Sequence, residues 1–398
     1  MTGGENGGHM TRTGMDRHGH GARHRGIFTD PVGHWQALGR PLRALPRWAA
    51  VLVLALTLAS LAWAGLAVGG FLSAQETRRA AVVQDDFGDV ELYSRINERV
   101  RQGESYYTAA LSEQRQHDYP TVPFVTVRTP VMAYGDLVWG PLGWRVVAVL
   151  LLLANVLAWV GALDRATRAE RAMAVLLLFA SGAGAFYDKV GLVHDLVSGL
   201  CLSLSLGLYR RNRWVPALLA AAAGLAIREL ALPFLLLWAV IAWLEGRPRQ
   251  AMAVALVVLL FAGGMGLHYL GVAGARLPGD QPSPGWAGML GPVMPLTSIT
   301  ELSPLLVLPP AWAGPLALLP LLGWLGLGGR LGLFATLWFA GFGLFVALFA
   351  RWANFYWVLL MLPAYMAGLA LAPRALWDLA RAIAGPGKRG LVTQAQLG

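Results

Sequence analysis

Asp85, Asp86 and Asp89 stand close together just ahead of Leu92, Tyr93, Ile96 and Val100, which recur at helical spacing in the one long charged and aromatic stretch of the chain, residues 84–134. A carboxylate placed there can act as general base on a hydroxyl. Cations able to hold a departing phosphate come from separate places: Arg128 in the same stretch, Arg228 beside Glu229, and Arg351 followed by Asn354 and Tyr356. His194 and Asp195 add a further ionisable pair. Transfer of a group from a lipid phosphate suits this combination. No Gly-rich nucleotide loop, zinc-ligand spacing or nucleophile elbow supports another chemistry.

The elements that must position these residues are membrane helices. Hydrophobic residues make up 56% of the 398-residue chain and charged residues 14%, and the apolar residues come in runs of about 20, the length that crosses a bilayer. Trp48 to Leu72 reads as an uncleaved first span. Further spans are expected at about 140–163, 172–187, 190–209, 214–227, 230–244, 251–271, 312–328, 331–350 and 355–372, or about ten in all. The fold class expected is therefore an all-α polytopic membrane protein with a long first outer loop, residues 74–139. Residues 1–46, rich in Gly, Arg and His, read as a disordered basic cytoplasmic tail, 47–373 as the membrane domain, and 374–398 as a cytoplasmic tail that begins with a basic amphipathic turn.

Charge sets the orientation. Lys and Arg number 20 on the side assigned to the cytoplasm and 12 on the other, 8 of these in or beside the first loop. Because the net charge of +10 is scattered between apolar runs, it points to membrane orientation and anionic lipid, with no nucleic-acid partner. Cys201 is the sole cysteine, so no internal disulfide forms. An ionisable residue near the bilayer centre costs roughly 2.5–3.5 kcal/mol. His194, Asp195, Arg228 and Glu229 individually fit helix ends in the headgroup zone; jointly, a wet cavity under the first loop accounts for all four.

The motifs also resemble a known family. Gly88-Asp89-Val90-Glu91-Leu92-Tyr93, then Gly103-Glu104-Ser105-Tyr106-Tyr107, is similar to the acid, the Tyr four residues on, and the later Gly with aromatics in the first outer loop of the GT-C glycosyltransferases. These are polytopic enzymes that use polyprenyl-phosphate sugars. Arg128-Thr129-Pro130 resembles the basic residue and proline that end this loop in the aminoarabinose and related transferases. His194-Asp195 is similar to a second acidic position of the family, Arg228-Glu229 to a charged pair at the next outer turn, and Arg351-Trp352-Ala353-Asn354-Phe355-Tyr356 to its late outer turn. The resemblance spans roughly residues 48–372.

It implies two short helices of the outer loop lying along the membrane, Asp89 as catalytic base with Asp86 and Asp85 as contenders, and a donor phosphate met by Arg351, Arg128 and Arg228. The substrate cavity would be completed by Asp85, Tyr93, His194, Asp195, Glu229, Asn354 and Tyr356. The implied partners are a polyprenyl-phosphate-linked sugar donor and the lipid bilayer, with a glycan, lipid or protein acceptor left open. No cofactor is required, although the three aspartates can also ligate a divalent cation. The Ala, Leu, Gly and Arg content suggests a bacterial inner membrane, with both termini cytoplasmic and the site periplasmic. The alternative is a transporter or flippase of a lipid-linked saccharide, whose repeated halves with broken helices the sequence does not display.

Overall fold

The computed structural model describes residues 31–81, 88–210 and 212–385. Among these residues every regular element is helical, apart from an isolated parallel bridge between Val122 and Pro282. Asp85 and Asp86 lie outside the described residues, as do residues 1–30.

The chain is an integral membrane protein. Five segments are long and apolar enough to cross a bilayer: Arg47–Thr77, Phe124–Ala162, Pro248–Ala275, Pro310–Leu327 and Gly329–Phe349. A sixth results if Trp352–Leu360 and Leu362–Ala384, bent by 64°, count as one span. The expected ten therefore become five or six on length. The runs expected at 190–209, 214–227 and 230–244 fold as shorter helices, His194–Leu208, Val215–Ile227 and Glu229–Leu244. Polar residues at their ends, such as Arg228 and Glu229, interrupt what reads as apolar sequence.

In chain order, α1 (Pro31–Leu38) precedes α2 (Arg47–Ala81), which exposes Leu52, Leu56, Leu58 and Leu66 on a surface suited to lipid. The long polar stretch after α2 folds as α3 (Asp89–Arg101) and α4 (Tyr106–Gln116). Asp89 and Glu91 in the first turn of α3, and Arg99 and Arg101 in its last, complement the helix dipole. Leu92, Ile96 and Val100, buried on one face, pack with Tyr106, Ala109, Ala110 and Leu111 of α4. Arg99 locks the hairpin, donating to Glu113 and Glu104 at 2.8 Å each and to Ser112 at 2.9 Å.

α5 (Val131–Ala162) is broken at Gly140, where φ is 67°, a conformation open to glycine and strained for other residues. The bend folds Trp144 back so that its Nε1 donates to Met132 O at 3.0 Å. The segment before the bend belongs to the same layer as α3, because Arg101 reaches Asp136 at 2.9 and 3.0 Å. There follow α6 (Arg168–Ser181), α7 (His194–Leu208), α8 (Val215–Ile227), α9 (Leu232–Leu244), α10 (Pro248–Ala275), α11 (Val293–Leu302), α12 (Pro310–Leu327), α13 (Gly329–Phe349), α14 (Leu362–Tyr365) and α15 (Ala372–Ala384).

The core is aromatic: Trp159, Trp238, Trp324, Phe234 and Phe334 are fully buried, and the Trp159 and Trp324 rings lie 5.4 Å apart. Gly199 lets α7 press against the chain after Arg351, since a Cβ there would lie 2.0 Å from Leu359 O. That contact brings two remote parts of the outer end together.

The opposite end is basic and more ordered than the sequence implies. Residues 31–46, expected to belong to an unstructured tail, hold α1: Trp35 Nε1 donates to Gly329 O at 3.2 Å and Gln36 to Glu245 at 2.9 Å. Glu245 also meets Arg330 at 2.9 Å and Arg247 at 3.2 Å. The segment read as a C-terminal tail from 374 instead forms α15 as far as Ala384, where buried Asp378 pairs with Arg40 at 2.8 Å.

Candidate functional site

A cavity of about 740 Å³ opens at the end of the bundle that carries α3 and α4. Its walls come from five parts of the chain. α3 supplies Asp89 and Tyr93, and the segment after α4 supplies Asp118, Tyr119, Thr126 and Arg128. The turn between α8 and α9 supplies Arg228 and Glu229, the stretch between α10 and α11 Gln281 and Trp286, and the turn after α13 Arg351, Asn354, Tyr356 and Trp357. Eight residues expected at the site, Asp89, Tyr93, Arg128, Arg228, Glu229, Arg351, Asn354 and Tyr356, thus share one cavity.

Local backbone explains the placement. Asp89 is the first residue of α3, after an extended Gly88, so its side chain leaves at the helix N-terminus. Arg228 ends α8 in extended conformation, which lets the adjacent Arg228 and Glu229 meet the same space. Arg351 is likewise extended after α13, and its N–H donates to Asn354 Oδ1 at 3.3 Å.

A paired roof closes over these residues. Thr121 N donates to Gln281 O at 3.0 Å, Ser283 N to Val122 O at 2.6 Å, and Arg115 clasps Asp280 at 2.6 and 3.2 Å. The two proline-rich outer stretches are thereby joined.

The charges fall into two sets. Arg228, with a side chain only 1% exposed, donates to Asp195 at 2.8 Å and also pairs with Glu229, as a buried cation must. Arg128 donates from Nε to Tyr93 at 3.0 Å and from Nη2 to Tyr356 at 3.4 Å, and lies 3.7 Å from Glu229. Its backbone oxygen accepts from Tyr106 at 2.7 Å. These two cations are committed to the protein. Among the described residues Arg351 makes no ion pair, and its Nε has no hydrogen-bond partner.

Asp89 also has no ion pair among the described residues, and it shares the cavity wall with Tyr119, whose phenol the Asp89 charge helps to raise. Burial pushes the Tyr93 phenol up to about 12; Arg128 opposes the rise and Asp89 adds to it. Tyr93 is therefore a neutral donor near pH 7.

His194 and Asp195 are placed differently from the expectation that they line the cavity. Asp195 is buried behind Arg228, and His194 stacks edge-on to Tyr93, centroids 4.9 Å apart, beside a separate void of about 10 Å³. Both support the wall from behind. Among the described residues, no three His, Cys, Asp or Glu side chains group as a metal site.

Tyr119, Gln281, Trp286 and Trp357 line the cavity without any motif to announce them. The signal available was indirect: two proline-rich outer stretches, around Pro120–Pro123 and Pro282–Pro284, each able to run extended against the other. No protein-family model matches the chain, and no curated protein or solved structure matches it.

Proposed function

We propose that the protein is a membrane glycosyltransferase of the GT-C kind, moving a sugar from a polyprenyl-phosphate donor to an acceptor hydroxyl at the outer face. The observation that carries this reading is one cavity holding both a cation and a carboxylate, Arg351 and Asp89, that lack ion-pair partners among the described residues. Asp89 removes the acceptor's proton, and the acceptor oxygen attacks the anomeric carbon from the face opposite the phosphate. The bond from that carbon to the phosphate oxygen breaks, and polyprenyl phosphate leaves with the electron pair toward Arg351, with inversion. A cavity at the bilayer surface leaves the polyprenyl tail in hydrocarbon.

In this reading α6 and the three shorter apolar helices also cross, which with the bent pair as one span gives ten crossings, with both termini in the cytoplasm and the cavity facing the periplasm of a bacterial inner membrane. Arg351 supplies the charge that a divalent cation supplies elsewhere, so no cofactor is needed.

The test is sugar transfer by the purified protein in nanodiscs, offered a panel of radiolabelled polyprenyl-phosphate sugars. Asp89→Asn is expected to slow release of polyprenyl phosphate by about 100- to 10,000-fold. A drop of less than tenfold removes Asp89 from the role of base. Donor binding without turnover in the wild type replaces the transferase with a transporter.

A further inference from the structure

Tyr119 sits where nothing in the sequence marks it, and the chain adopts an uncommon conformation to put it there. The preceding residue, Asp118, has φ of +56°, a left-handed geometry that few non-glycine residues adopt and that gathers at functional positions. It reverses the chain at the end of α4, where Tyr119 N donates to Gln114 O at 2.8 Å.

The following residues are fixed as well. Gln114 Nε2 donates to Pro120 O at 3.1 Å and to Thr126 O at 3.3 Å, while Thr121 N is tied to Gln281 O at 3.0 Å. Tyr119 is thus held from both sides, within the cavity wall that also contains Asp89. Its phenol borders the same space as the Asp89 carboxylate, whose negative charge helps to raise it.

We infer that Tyr119 is a positioning residue for Asp89: its O–H donates to one carboxylate oxygen and leaves the other to take the proton from the acceptor hydroxyl. This rests on the transferase reading above. Asp89 sits at the start of α3, no side chain caps that end, and among the described residues it makes no ion pair, so the phenol is the group placed to fix its rotamer. Burial first, and then the Asp89 charge, raise the Tyr119 phenol well above its usual range. It therefore remains a donor at any pH where the protein works.

The step is a simple proton transfer. The acceptor O–H bond breaks as its proton joins Asp89, the acceptor oxygen bonds to the anomeric carbon, and the phosphate oxygen leaves. Tyr119 keeps its own proton throughout. The other charged groups on the wall are Asp118, Arg128, Arg228, Glu229 and Arg351, and the phenols of Tyr93 and Tyr356 face the same space.

The experiment compares Tyr119→Phe with the wild type and Asp89→Asn in nanodiscs, measuring donor Kd, kcat and the pH–rate profile for transfer. Tyr119→Phe keeps the ring and its packing. A lost hydrogen bond to a charged group predicts a fall in kcat of about tenfold to a hundredfold. Donor Kd and thermal stability stay within about twofold and a few degrees of wild type, and the acid limb of the profile moves to higher pH because the ionised carboxylate has lost a donor. A Tyr119 that only packs would leave kcat and that limb in place, because phenylalanine preserves the packing.

Transfer by Tyr119→Phe at the wild-type rate and with the wild-type profile overturns the role of Tyr119 and leaves the transferase standing. Absence of transfer in the wild type overturns the transferase reading, and this role with it.

Discussion

Arg228 and Asp195 form a buried ion pair between the end of α8 and the start of α7, Nε to Oδ1 at 2.8 Å, with side chains 1% and 5% exposed. It is the rear wall of the cavity. Removing Asp195 leaves buried Arg228 with Glu229 alone, so Asp195→Ala is expected to destabilise the protein by about 1.5–3 kcal/mol, read by thermal or denaturant unfolding in detergent. The double variant Asp195→Ala/Arg228→Met, which removes both charges, is expected to recover much of that loss. Equal loss in the single and double variants contradicts the assignment.

Arg351 and Arg128 line the same cavity but should respond differently. Arg128 is tied to Tyr93 and Tyr356, so Arg128→Ala loosens the outer layer and lowers the melting temperature. Arg351 has no such commitments, so Arg351→Ala leaves the melting temperature near wild type. On the proposed function it weakens donor binding by about tenfold to a hundredfold, the worth of a charge-assisted hydrogen bond. Paired measurements of donor Kd and melting temperature separate the two. Unchanged donor Kd in Arg351→Ala moves the phosphate elsewhere.

The roof over the cavity should loosen in acid. The Arg115 guanidinium beside Asp280 holds that carboxyl below the usual carboxylate range, against the opposing effect of burial. A carboxylate depressed in the folded state stabilises fully above its unfolded-chain value of about 4, and that contribution is lost as pH falls through the folded value. Amide exchange at Thr121 and Ser283, corrected for the intrinsic rate, is expected to stay slow at neutral pH and to quicken progressively below about pH 4. Asp280→Asn should show faster exchange already at pH 7 and lose the acid dependence. Acid-dependent protection that survives in Asp280→Asn assigns it to another group.

The sequence disclosed those features that repeat locally. Apolar runs gave the spans of α2, α5, α10, α12 and α13, and the run expected from 140 begins where Gly140 breaks α5. Helical spacing of Leu92, Ile96 and Val100 gave α3. Features set by distant contacts stayed hidden. α1 has little apolar periodicity and is held by Gly329 and Glu245, far along the chain. The side of the wall on which His194 and Asp195 fall depends on how α7 turns toward Arg228, and no spacing encodes that. Tyr119 reads as an ordinary tyrosine before a proline until Asp118 is seen in left-handed conformation.

The cavity has a bearing on biogenesis. Its walls run from Asp89, early in the chain, to the Arg351–Trp357 turn shortly before α14 and α15. During synthesis the earlier walls reach the membrane first and stand open on one side, with Arg228 already paired to Asp195 and Glu229, and Arg128 close to Glu229. The uncommitted cation arrives late. A nascent chain stalled before α13 is therefore an incomplete vessel, with its earlier walls made and no Arg351 to face the space they enclose.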